Sequence, residues 1–121
     1  MSAPLKVIPV TIPAGQSLSN GALVGDYRIS GLQFPPVWAA GGISWQASLD
    51  DGATWVEVTD ATGAPIAYPT AGAANTYFLL DSTKFVGLTL VRIRSGTLAA
   101  PVNQGANCVL RLACAKLNPL Y

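Results

Sequence analysis

Hydrophobic side chains along this chain recur at every second position, in short runs. In ISWQASL, residues 43–49, Ile43, Trp45, Ala47 and Leu49 share one face while Ser44, Gln46 and Ser48 share the other. That alternation is the mark of a half-buried strand. The same period runs through residues 5–12, about 26–34, 55–60, 76–81, 88–95 and the stretch NCVLRLACAKL at 107–117. Val, Ile, Leu and Thr dominate these runs, and helical spacing is hard to find. Twelve glycines and nine prolines punctuate the chain between them. Seven or eight short strands with turn residues between them predict an all-β fold, a two-sheet antiparallel β-sandwich of jelly-roll or other Greek-key order.

Particular residues refine the strands. Pro9 lacks a backbone N–H, so the first strand belongs at a sheet edge or holds a bulge. Gly31 predicts a bend or bulge in the second. Pro35 and Pro36 end that strand. Residues 14–23 read as a loop or irregular segment. The stretch ATGAPIAYPTAGAAN at 61–75 reads as a long loop with Ile66 and Tyr68 as anchors, and STKFVG at 82–87 as a tight connection, one helical turn at most. Cys108 and Cys114 share a parity with Leu110 and Leu112. Six residues of extended chain span about 20 Å, so the two cannot pair with each other. They read as buried thiols.

One stretch breaks the strand pattern with chemistry. SLDDGATW, residues 48–55, fits S-x-D-x-G-x-T-W at every fixed position. Asp50 and Asp51 can accept backbone N–H groups, Gly52 takes a positive φ without strain, and Ser48 and Thr54 can bond across the turn. Trp55 then lays its ring over the loop or into the core. The stretch resembles the Asp box, a turn-stabilising hairpin motif of sialidase propellers and other β proteins. A sugar contact or a calcium site are the alternatives; calcium wants more oxygen ligands than two carboxylates supply.

Composition narrows the function. The 121 residues are consistent with one domain spanning 1–121, with an N-terminal arm at 1–9 and a C-terminal tail at 117–121. Only 11% are charged, against about 25% in an average soluble domain. So few charges suit a surface largely covered by partners. A net charge of +1 points to neither nucleic acid nor an acidic substrate. No apolar run is long enough to span a membrane. The start, MSAPLKVIPVTIP, does not read as a signal peptide, which predicts synthesis and folding in a cytoplasm.

With no histidine in the chain, Ser-His-Asp and Cys-His catalysis are excluded. Two cysteines without histidine make no zinc site, and no glycine-rich phosphate loop is present. The six carboxylates, Asp26, Asp50, Asp51, Glu57, Asp60 and Asp81, sit mostly at turns and strand ends, where solvated caps are the ordinary role. No catalytic, cofactor or metal residues are assigned. The arginines suggest more. Arg92 and Arg94 share a face in LTLVRIRS, and Arg111 opposes Leu110 and Leu112 in the last strand. If those strands are neighbours, the three form one patch suited to a protein contact. Trp38, in the PPVWAAGG loop, reads as the tryptophan freest to be exposed, and Tyr121 ends an apolar tail that could touch a neighbour.

Taken together, TIPAGQSLS, YRISGLQFPPVW, ISWQASLDDGATWVEV, LVRIRSGT and PVNQGA resemble small structural proteins of tailed bacteriophages, among them jelly-roll head decoration or cement proteins. The resemblance covers about residues 10–117. It implies a non-enzymatic virion protein on the outer surface of the head, a homo-oligomer with a trimer favoured, that joins capsomers by binding the major capsid protein or other virion proteins. It carries over no catalytic residue, cofactor, nucleic-acid or membrane partner. A carbohydrate- or receptor-binding sandwich of a tail or fibre is the alternative, with Trp38 in an aromatic strip.

Overall fold

The computed structural model describes residues 5–38, 42–64, 66–68, 74–80, 85 and 87–116. Among these the chain is all-β, without a helix. Nine strands follow in order: β1 Leu5–Ile12, β2 Ala22–Leu23, β3 Tyr27–Gln33, β4 Ile43–Ser48, β5 Val56–Glu57, β6 Ala67–Tyr68, β7 Tyr77–Leu79, β8 Leu90–Ser95 and β9 Cys108–Lys116.

They form two antiparallel sheets. Sheet A has the order β1-β9-β3-β7. Sheet B runs β2-β8-β4-β5, and β6 also pairs with β4. β5 meets β4 at Gln46 and Ala47 while β6 meets it at Ile43 and Ser44, so the two share one edge and the sheet is four strands across. The first strand pairs with the last and β2 with β8, and successive strands switch sheets except for β4, β5 and β6, which all lie in sheet B. With β5 and β6 counted as one, this is the strand order of a jelly roll.

Expected alternation accounts for the core. Val10 and Ile12 from β1, Ile29 and Leu32 from β3, and Leu110 and Leu112 from β9 face Ile43 and Trp45 from β4 and Val91 and Ile93 from β8. Cys108 and Cys114 are free and buried on that side. Burial alone raises the Cys108 thiol's pKa, and pushes Cys114 up to about 11, so both are held as protonated, unreactive thiols at neutral pH. Phe85 meets Trp45 edge-on, with ring centroids 5.0 Å apart.

Two special residues do what the sequence predicts. Pro9 sits on β1, the edge strand of sheet A. The β3–β9 register slips between Ile29 and Gly31. Gly31 has a second reason to be glycine: a Cβ there would collide with the Tyr77 hydroxyl, because the Tyr77 ring lies across the sheet above it.

Several expectations need correction. Residues 14–23 are not all loop, since Ala22 and Leu23 pair with β8 as β2. The run 55–60 is ordered as strand only at Val56 and Glu57, and the long loop contains β6. Ile66 is a buried anchor as expected. β4 is not half-buried, because all six of its residues are buried. Residues 5–9 of the supposed arm pair with β9 along their whole length. The tail at 117–121 with Tyr121, Asp81, and most of the connection at 82–87 lie outside the described residues.

Candidate functional site

The SLDDGATW turn closes on itself. Ser48 Oγ donates to Asp50 Oδ1 at 2.8 Å and accepts from the Gly52 N–H at 2.8 Å. Asp50 Oδ1 also accepts from the Thr54 N–H at 2.9 Å. These bonds hold the Asp50 carboxyl below its ordinary pKa, the Ser48 hydroxyl contributing most. Gly52 takes φ 88°, as expected, and Asp51 joins it in the left-handed region at φ 60°. Among the described residues no group of three metal-ligating side chains occurs. The motif residues Ser48, Asp50, Gly52, Thr54 and Trp55 are thus joined by local bonds and packing, with Asp51 left over at the tip.

The strand parity that puts Glu57 on the outer face of sheet B puts Trp55 there too. The half-buried Trp55 ring crowds Leu90 over Gly21 and Gly52. The Arg92 guanidinium stacks on the ring, 4.4 Å from its centroid, which is cation–π geometry. Below lies a network that sequence parity does not reveal. Arg92 Nε donates to Gln46 Oε1 at 2.7 Å, and Gln46 Nε2 donates to Glu57 Oε2 at 2.6 Å. Arg94 clamps Glu57 with two parallel bonds, Nη1 to Oε1 and Nη2 to Oε2, each 2.7 Å. Arg94 is only 4% exposed. That clamp is the main reason the Glu57 carboxyl titrates below its ordinary range, and Gln46 adds to it. Burial is the first cause of the lowered Arg92 value, with the Arg94 charge behind it.

The three arginines therefore do not form one patch. Arg92 and Arg94 lie in sheet B, consumed by their own network. Arg111 stands on β9 in sheet A, exposed. The condition for grouping them, adjacency of the strands, is not met. Trp38 is also corrected: it is 8% exposed, packed edge-on against Phe34 with centroids 4.8 Å apart. The PPVW segment turns its ring inward, and Val37 beside it takes the exposed position.

The remaining carboxylates are mostly spent on structure. Asp60 Oδ1 accepts from the Thr62 N–H and hydroxyl and from the Ala64 N–H, a second self-capping turn. Its D-x-T pattern was available in the sequence. Asp26 lies 3.7 Å from Lys116.

Large apolar side chains, by contrast, stand in the open. Leu49, beside the acidic tip, is 84% exposed, and Leu79 at the edge of sheet A is 83% exposed. Leu23, Val37, Val56 and Leu98 are more than half exposed. Two shallow depressions of about 130 and 210 Å³ flank Leu49, one bordered by Leu23 and Leu90 and the other by Val56. A wider groove of about 600 Å³ is lined, among the described residues, by Ser44, Glu57, Thr59, Thr97, Leu98 and Ala99. No helix among the described residues is long and apolar enough to cross a membrane. No family model, curated protein or solved structure matches the chain.

Proposed function

We propose that the protein is a non-enzymatic structural component of a tailed-bacteriophage virion. It acts as an oligomeric head decoration or cement protein that binds the major capsid protein or other virion proteins on the outer surface of the head. The observation that carries this reading is the pairing of a rigid sandwich with exposed large apolar side chains, Leu49 and Leu79 foremost, on a chain with 11% charge. Apolar surface of that kind is what protein contacts desolvate. Most described carboxylates and both network arginines are occupied inside the fold, which leaves little for acid–base chemistry. In a lattice, many weak contacts made at once hold more firmly than any one of them.

The test is binding to assembled shells. Purified protein should co-sediment with capsid shells and be found on the head by electron microscopy, and it should add to their resistance to heat. Absence of binding to shells of any maturation state removes the reading. The carbohydrate alternative loses its expected platform, since Trp38 is buried and Trp55 is stacked on Arg92.

A further inference from the structure

Charge is segregated between two regions of this molecule's surface. The four strands of sheet A carry Lys6, Arg28, Arg111 and Lys116 and not one carboxylate. Lys116 has Asp26 nearby, and Lys6 lies over the Tyr27 ring. Arg28 and Arg111 have no ion-pair partner among the described residues.

On the outer face of this sheet one cross-strand row reads Val7, Ala113, Gly31, Leu79. The middle of the row is small, with the Tyr77 ring laid over Gly31, and its two ends are exposed apolar side chains. Arg111 lies in the next row on one side and Arg28 beyond it on the other. The result is an exposed apolar strip of Val7, Tyr77 and Leu79, its middle covered by the Tyr77 ring, bracketed by two cations. The hairpin tip between β4 and β5 has the opposite character. There Leu49 projects almost fully exposed, followed by Asp50 and Asp51. Asp50 is engaged by Ser48 and Thr54, while Asp51 has no partner among the described residues.

We propose that the outer face of sheet A is a docking surface for a second copy of this chain. Leu49 of one copy packs against the exposed Val7, Tyr77 and Leu79 strip of the next, and Asp51 pairs with Arg111 there. The tip and the strip are different surfaces, so the contact is head-to-tail, and it closes as a ring or runs on as a filament. The patch is small against the roughly 800 Å² per partner of a standard interface, so a single contact is weak and association depends on concentration. The inference rests on the reading of this protein as an assembly component and names the surface by which copies meet.

Charge reversal tests it. Sedimentation velocity over a hundredfold concentration range should give the wild-type chain a mass that rises above the monomer. Arg111→Glu and Asp51→Lys should each move the midpoint of that rise at least tenfold higher. Mixing the two variants in equal amounts should restore it. The reversed tip of one variant then meets the reversed face of the other, and the native tip meets the native face. Thermal unfolding of each variant checks that the fold is intact, and Leu49→Ser provides a reading without charge at the left-handed Asp51 position. A wild-type chain that stays monomeric overturns the proposal. So does association that both reversals leave unchanged, or a mixture that fails to recover. Shell binding is measured separately on the same proteins. A monomer that binds shells ends the self-contact and spares the function, and an oligomer that ignores shells does the reverse.

Discussion

Arg94 and Arg111 each project from the outer face of a β-sheet, and their surroundings are opposite. Around Arg94 the molecule has closed its own surface: Ser44, Gln46 and Ser48 are buried beside it, Glu57 clamps it, and Trp55 roofs the neighbouring Arg92. Around Arg111 nothing closes. Val7, Tyr77 and Leu79 stand more than half exposed on that face, and no carboxylate comes from any strand of the sheet. The outer face of sheet B is a polar second core, whereas the outer face of sheet A is unfinished. A buried polar face holds only if each charge has its partner, and an exposed apolar one gains by being covered.

The largest effect that distinguishes the faces should come from Glu57→Gln. It leaves the Arg94 guanidinium buried without a counter-charge, and breaking a buried pair costs on the order of 3 kcal/mol; the Glu57 side chain, 26% exposed, keeps the loss from going higher. Denaturant unfolding reads it, and a change below about 1 kcal/mol would mean the pair is solvent-screened and sheet B is less closed than its geometry. Trp55→Ala should come next, at about 2 kcal/mol, since a half-buried ring and its cation–π contact are lost together. Arg92 should then become accessible, which a rise in its modification by phenylglyoxal would register. Ser48→Ala removes a donor to Asp50 and an acceptor for Gly52, and should cost about 1 kcal/mol. An unchanged midpoint in urea would show that the turn holds without its serine.

How much of this contrast can be read from the chain alone depends on range. Alternation identifies which residues of a strand share a face, so the core set and the buried cysteines are legible. Pro9 and Gly31 announce the edge and the bulge because their constraints are local. Two-residue strands such as β2 and β6 are invisible, as too few residues are present to alternate. Strand order is set by pairing between distant segments, as between Gly31 of β3 and Ala113 of β9, and no local pattern encodes it. Hence Arg111 could be placed beside Arg92 on parity and yet lie in the other sheet. Trp38 misleads for a related reason: a loop composition rich in Pro and Gly says surface, but the ring follows the Phe34 packing at the end of β3. In the candidate surface, the hairpin is legible because its bonds span at most four residues. The Arg94–Glu57 clamp is not, because its partners are 37 residues apart.

Acid should probe the closed face in a way the open one cannot match. Glu57 and Asp50 both titrate below their ordinary values in the fold, held there chiefly by Arg94 and by Ser48. A depressed folded value means stabilisation present above the unfolded one and lost as pH falls through the folded one. Stability should therefore stay level from about pH 7 to about 5 and decline below the ordinary glutamate value of 4.5. In Glu57→Gln that decline should be shallower. An identical decline in the variant would place the acid sensitivity elsewhere.

The smallest expected effect carries the most information about the open face. Arg111→Ala removes an exposed side chain with no ion-pair partner among the described residues, so stability measured on dilute protein should shift by less than about 0.5 kcal/mol. The same substitution in sheet B, at Arg94, would strip a buried network. A near-zero result for Arg111 says that its charge does nothing for the isolated fold and leaves it free for contact with another surface. If Arg111→Ala instead destabilises the dilute protein by about a kilocalorie or more, the face is closed by contacts within the chain, and the difference between the two sheets is one of degree.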